Sequence, residues 1–206
     1  MIDPYWWPVM VGGVLAGASS GLIGVFIVGM RIPFVAVCVS HAALAGAVFG
    51  SLAGLAGQWM LLPALGASTA VAVAVGLFEG GGRRLDSNVM IGLLFSLSMG
   101  LAFLGIGLFP VVGRSDSEVR NLLWGSLNFC RWADVGWITL SGAALAGYVA
   151  LLGKEMRAIL FSRLHATAAG VAVLPIWTGF LILTSATLTV NFQTVGGLMI
   201  YSLITN

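Results

Sequence analysis

Ionisable side chains are scarce in this sequence. Of 206 residues, 8% are Asp, Glu, Lys or Arg and 59% are hydrophobic, whereas a soluble domain carries roughly 25% charged residues. So few charges cannot cover a water-facing surface, which excludes a soluble globular domain and leaves an integral membrane protein. The net charge is +2 and no basic run accompanies it, so nothing points to nucleic acid. The two cysteines, Cys38 in an apolar segment and Cys130 in a loop, build no disulfide framework. There is no Gly-x-x-x-x-Gly-Lys-Ser/Thr phosphate loop, so the chain has no means of hydrolysing ATP. There are two histidines and no His-Glu-x-x-His helix, too little for a zinc hydrolase or for a haem held by two histidines within the spans. No fixed-period repeat is visible, which excludes a solenoid and gives no support to a transporter of two similar halves. The opening MIDPYWWP lacks the basic region of a secretory signal, so the first apolar segment reads as a retained span.

Long apolar runs are what the chain has instead. They predict an all-α, polytopic helical membrane protein with about seven spans. The first covers residues 6–30, with Trp6 and Trp7 as an interfacial belt and Gly13, Gly17 and Gly21 as a small-residue ridge. The second lies within residues 31–54. The third covers 58–78, with Pro63 in its first turn, and EGGGRRLDSN follows as a turn from which Asp86, Ser87 or Asn88 caps the next helix. The fourth covers 89–110 with a ridge at Gly92, Ser96 and Gly100. A long polar connection, 113–134, holds an apolar patch at 121–127 that reads as a short interfacial helix. The fifth span covers 135–153, an amphipathic connector covers 154–170, and the sixth span covers 171–190. A seventh begins after Asn191 and Gln193 and reaches YSLITN without a stop signal, so the chain reads as truncated at its C-terminus. Arg31, Arg83, Arg84, Lys154, Arg157 and Arg163 lie on odd-numbered connections, against Arg114, Arg120 and Arg131 on even-numbered ones. The positive-inside rule then puts the odd connections in the cytoplasm and the N-terminus outside.

The second span, RIPFVAVCVSHAALAGAVFGSLAG, organises the reading. Its His41 is the only ionisable side chain in the apolar run apart from the thiol of Cys38. A polar ring at membrane depth costs free energy unless it has a partner or lines a wet cavity, which marks it as a functional candidate. Cys38 lies three residues earlier on the same helix face, so the two form a possible soft metal-ligand pair. The plainer alternatives are a histidine bonded to a neighbouring helix and a cysteine buried as a small hydrophobe. Ala42, Gly46, Gly50 and Gly54 form a ridge where another helix can approach closely. Met60, Met90 and Met99 read as core fillers, and Trp124, Trp132 and Trp137 as interfacial anchors.

At these residues the sequence resembles the metal-ion ABC transporter permeases of the zinc, manganese and iron uptake class. Ser40-His41-Ala42 followed by Gly46 resembles their second span, and Asp86 with IGLLFSLSMGLAF at 91–103 resembles their fourth. LLWGSL at 122–127 resembles their Leu-x-Gly-Ser-x-Leu segment. Phe161, Ala166 and Gly170 fit the family's Phe-Asp-x-x-x-Ala-x-x-x-Gly segment, and TVGGLMIYSLI at 194–204 fits the start of its seventh span. Two positions depart: Val37 stands where many members carry Asp four residues before the histidine, and Ser162 replaces the Asp after Phe161.

The resemblance implies that residues 1–206 form a single transmembrane permease domain lacking its last span or spans. It implies an ABC importer subunit that moves divalent transition-metal ions by alternating access, a multi-pass protein of a bacterial or archaeal inner membrane. Its partners would be cytoplasmic ATPase subunits, a second permease copy, an extracytoplasmic metal-binding protein and the lipid bilayer, with no nucleic acid. No residue would be catalytic and no cofactor permanently bound, the metal ion being cargo. His41 and Cys38 would contact that ion, and imidazole and thiolate donors lean toward zinc over manganese or iron. Phe161, Ser162, Arg163, His165, Ala166 and Gly170 would form the segment that couples to the ATPase. The other reading of that connector is a basic surface helix marking the membrane interface. The competing classes are an intramembrane redox or metal-dependent enzyme subunit and a membrane assembly subunit that transports nothing.

Overall fold

Backbone groups inside a bilayer find no water, so apolar runs of this length close their hydrogen bonds within helices. A computed structural model describes residues 6–80, 86–113 and 130–195, and all elements described are helical. They are α1 (Trp7–Gly29), α2 (Phe34–Leu52), a 3-10 turn (Gly57–Met60) leading into α3 (Leu61–Gly80), α4 (Ser87–Leu108), α5 (Trp132–Leu151), α6 (Gly153–Phe161), α7 (Arg163–Ala168) and α8 (Val173–Val195). Among the described residues six helices are long and apolar enough to cross a membrane: α1, α2, α3 with its 3-10 turn, α4, α5 and α8.

Two expectations change. The sixth span does not stop near residue 190, because α8 runs unbroken through Asn191 to Val195. Asn191 is wholly buried and donates from Nδ2 to Ser19 Oγ of α1 at 3.0 Å, so a residue that looked like a turn is a helical side chain with a partner. The rest of the expected seventh span, the patch at 121–127 with Trp124, and Arg83, Arg84, Arg114 and Arg120 lie outside the described residues. The other expected boundaries hold to within a few residues. Asp86 is the cap of α4, its Oδ1 accepting the Asn88 N–H at 2.8 Å.

The small-residue ridges divide sharply. On α2 the ridge is a packing edge: a Cβ on Gly46 would fall on the Pro63 carbonyl of α3, and one on Gly50 would come 2.5 Å from the Pro63 ring. The proline in the first turn of α3 is thus what α2 closes upon. A Cβ on Gly17, Gly21, Gly92 or Gly100 would meet nothing within 4 Å among the described residues, so these members of the ridges expected on α1 and α4 have no close neighbour there. The other close approaches are Gly105 of α4 on Val48, Gly76 of α3 on Thr178, and Gly179 of α8 on Tyr148.

Burial follows from these contacts. The apolar window of α2 is 72% buried and that of α8 50%, against 22% for α4 and 17% for α5. Helices α2 and α8 are therefore the spine, with α3 packed against both and α1, α4 and α5 outside. The outer faces carry exposed leucines such as Leu93, Leu97, Leu104 and Leu140, as expected of a lipid-facing surface. Exposed Trp7, Trp59, Trp132 and Trp137 lie at the starts of α1, α3 and α5. A cavity of about 420 Å³ brings Gln58 and Trp59 beside Asp134 and Trp137, so these starts share one end of the bundle. Helices α6 and α7 cap the other end, where a Cβ on Gly29 at the foot of α1 would meet Leu160 at 2.8 Å.

Candidate functional site

Two places carry the residues singled out in the sequence: the middle of α2 and the elbow made by α6 and α7. On α2, the His41 ring is half-buried at the edge of the packing and meets Phe95 of α4 in a T-shaped contact, with ring centroids 5.1 Å apart at 79°. Its Nδ1 lies 2.9 Å from the Val37 carbonyl one turn back. A carbonyl only accepts, so Nδ1 is the donor, and in the neutral ring Nε2 keeps its lone pair. The position where many resembling proteins carry Asp thus contributes here through its backbone, orienting the imidazole rather than adding a carboxylate.

Cys38 is different. Its side chain is wholly buried within the core formed by α2 and its neighbours. The shared helix face expected from the spacing therefore splits, with the thiol inside the packing and the imidazole at its margin. Among the described residues no three His, Cys, Asp or Glu side chains are grouped as a metal site. Among its described residues, α2 thus offers a single oriented imidazole nitrogen.

At the elbow, all six singled-out residues fall on one compact turn. Helix α6 is amphipathic, burying Met156 and Ile159 while Lys154 and Arg157 face out. It ends at Phe161, whose side chain is 86% exposed, and Leu164 one turn on is 79% exposed. Together they give the elbow an exposed apolar tip. Ser162 makes the corner in extended conformation, and its Oγ accepts the His165 N–H at 3.3 Å and touches His165 Nδ1 at 3.0 Å. The replacement of Asp by Ser at this position therefore keeps a residue able to cap the next helix.

Ala166 is buried, anchoring α7. Gly170 has φ +83, and the Val171 N–H bonds to the Ala166 carbonyl while the Gly170 N–H bonds to that of Thr167. This paired closure needs a left-handed residue just past the helix, which explains glycine four residues after the alanine. Arg163 reaches across to α8, its guanidinium carbon 5.2 Å from the centre of the Trp177 ring.

Sequence reading missed three things. Leu164 doubles the apolar tip of the elbow, and Trp177 receives Arg163. The third is a polar seam along α8: Thr184, Ser185, Thr187, Thr189 and Asn191 are all buried. Thr187 Oγ1 donates to the Ser141 carbonyl of α5 at 3.3 Å and Thr189 Oγ1 to Ser68 Oγ of α3 at 2.9 Å. With Asn191 on Ser19, α8 is tied to three neighbouring helices. The density of hydroxyls in LTSATLTVN was the available signal, since such side chains within a span cross-link helices.

The comparisons with known proteins follow this architecture. The model of the ABC 3 transport family matches residues 3–206. The manganese transport system membrane protein MntD of Bacillus subtilis is 28% identical over 211 residues, covering 95% of this chain and 70% of that protein. The zinc transport system membrane protein TroD of Treponema pallidum is 24% identical over 208 residues, covering 95% and 56%. Among solved structures, PsaBC from Streptococcus pneumoniae in complex with Fab superposes with a TM-score of 0.78 at 21% identity, covering 98% of this chain and 70% of that one. The fold is thus shared with that membrane protein. By the family model, which spans nearly every residue, the chain belongs to the ABC 3 transport family.

Proposed function

We propose that this chain is the membrane-spanning subunit of an importer for divalent transition-metal ions, driven by separate ATPase subunits. The family match over residues 3–206 is the observation that carries the reading. Relatives named for manganese and for zinc transport support a transition-metal cargo. The chain has no phosphate loop, so nucleotide is bound elsewhere. Two copies of the subunit, an extracytoplasmic metal-binding protein and the ATPase pair complete the machine, in a bacterial or archaeal inner membrane with the N-terminus outside and the elbow in the cytoplasm.

Within that reading His41 contacts the ion. Its Nε2 is the basic nitrogen of a ring oriented by the Val37 carbonyl, and two copies around a two-fold axis supply two imidazoles. A full tetrahedral cage would hold zinc too tightly, by roughly 10 kcal/mol or more. Transport instead requires a site weak enough to release. Val37, standing where many members of the resembling class carry Asp four residues before this histidine, removes a hard oxygen ligand and favours zinc over manganese. Cys38, enclosed in the core, is a lesser contributor that reaches the ion only if the helices rearrange.

The elbow is the coupling segment. Exposed Phe161 and Leu164 supply an apolar knob, with His165 and Ser162 beside it, Arg163 turned back onto Trp177 of α8, and Ala166 and Gly170 fixing its shape. Only differential affinity of nucleotide for two states drives alternation, so this contact must be tighter in one state than in the other. Phe161→Asp is expected to strip the ATPase from the complex while the subunit still folds. Gly170→Val is expected to do the same through the backbone, since no neighbouring atom lies within 4 Å to cause a clash. Co-purification and transport at wild-type level in both variants would remove the coupling role.

A further inference from the structure

We propose that Arg163 and Trp177 form the joint through which movement of α7 reaches the membrane helices. Both are then positioning residues for coupling, in contact with neither the ATPase nor the ion. The proposal rests on the reading of the elbow as the coupling segment.

The covalent link between α7 and α8 is poorly built to transmit a push. It passes through exposed Ala169 and Gly170, the glycine at φ +83 with nothing near its Cβ position. The paired backbone bonds to Ala166 and Thr167 hold this glycine in its left-handed turn and no described side chain braces it, so this is where α7 turns most readily against α8. Beside the link lies an open cleft of about 450 Å³, lined by Gly76, Leu164, Thr167, Val171 and the Arg163–Trp177 pair itself. So α7, anchored by buried Ala166, still has room to shift against α8, and a side-chain connection to α8 decides how much of a push on it arrives there.

Arg163 supplies that connection. Its guanidinium sits 5.2 Å from the centre of the Trp177 ring, within the range of cation–π attraction. Trp177 is 2% exposed and stacks on Phe180 at 5.3 Å and 25°. Phe180 in turn meets Phe26 of α1 at 5.3 Å and 58°. The same end of α8 is held by α5, where Tyr148 Oη donates to the Ile176 carbonyl at 2.8 Å, and by α3, where Thr178 lies against Gly76. Close-packed interiors transmit displacement instead of absorbing it. A force on Trp177 is therefore passed to α1, α3 and α5, whereas a force on Gly170 is dissipated in the link.

The test uses the full complex with its ATPase subunits and binding protein, reconstituted in vesicles. Ions moved per ATP hydrolysed, with zinc and manganese each supplied, are measured for Arg163→Ala, Arg163→Lys, Trp177→Leu and the double variant. Arg163 is half-buried at the surface, so its replacement spares the fold, and the Arg163 variants decide the matter if Trp177→Leu fails to assemble. The ATPase is expected to co-purify with Arg163→Ala as with wild type, while ions per ATP fall by about tenfold, the scale of a partly desolvated cation–π contact. Lysine should restore part of the loss, and the double variant should be no worse than the worse single one. A wild-type ratio in Arg163→Ala, multiplied losses in the double variant, or loss of the ATPase from Arg163→Ala would each overturn the joint. Phe161→Asp run in parallel separates the two claims. If it leaves assembly and transport unchanged, the coupling reading itself fails. If it removes the ATPase while Arg163→Ala transports normally, only the joint fails.

Discussion

Asn191 Nδ2 and Ser19 Oγ meet at 3.0 Å across 172 positions of sequence, tying the last described span to the first. The bond belongs to the seam that also joins α8 to α3 through Thr189 and Ser68, and to α5 through Thr187 and the Ser141 carbonyl. Each such link between membrane helices contributes about 0.6 kcal/mol, with a maximum near 1.7.

Two kinds of polar residue in that seam are expected to respond with opposite sign. Asn191→Leu removes a bonded group and should lower stability by about 1 kcal/mol. The Ser20 and Thr184 hydroxyls are buried with no hydrogen-bond partner among the described residues, so Ser20→Ala and Thr184→Val should be neutral or stabilising. Thermal unfolding of the detergent-solubilised subunit checks both. Equal losses at all three positions would mean that the two hydroxyls hold partners after all.

The glycines give a second contrast. Gly46→Ala places a methyl on the Pro63 carbonyl of α3, while Gly17→Ala meets open space. The first should cost about 1–3 kcal/mol as overpacking does, and the second should be neutral or slightly favourable from helix propensity. The same unfolding measurement applies. A Gly46→Ala subunit as stable as wild type would show that α2 and α3 are not in contact there.

These two glycines look alike in sequence, each within a four-residue run of small side chains. The pattern says that a helix can be approached and not that one approaches it: among the described residues the α2 ridge is an edge, while Gly17, Gly21, Gly92 and Gly100 meet nothing. The spans were legible because apolar length is a local property. Asn191 was misread as a break because its partner on Ser19 is distant in sequence. The elbow was legible as an amphipathic connector, with Phe161, Ala166 and Gly170 marked by resemblance, and the left-handed closure at Gly170 supplies the physical reason for that glycine. Trp177 was not, because its pairing with Arg163 spans the link between two helices. The Cys38–His41 spacing was read as one shared helix face, yet burial separates the two side chains and no local pattern reports burial.

A pH dependence follows at Cys130, which lies just before α5. Partial burial, and then the charge of Asp134, push its thiol up from the usual value. Less thiolate is therefore present at neutral pH than in a free cysteine, and maleimide labelling should be slow there and accelerate with rising pH later than for a model thiol. Asp134→Asn removes the smaller of the two causes and should move the profile partway down. Labelling of the Cys38→Ser subunit against pH, with the Cys38→Ser, Asp134→Asn double variant beside it, checks this. A profile matching that of a free thiol in Cys38→Ser would contradict it.

Metal uptake by vesicles holding the complete complex, compared between wild type and His41→Ala at limiting zinc and manganese, tests the account most directly. The histidine donates within its own helix and touches Phe95 at its edge, so alanine should leave folding and ATPase co-purification intact. The expected result is an assembled complex whose uptake falls at least tenfold, with Cys38→Ser losing less. An assembled His41→Ala complex that transports at the wild-type rate would contradict a place for His41 in the path of the ion.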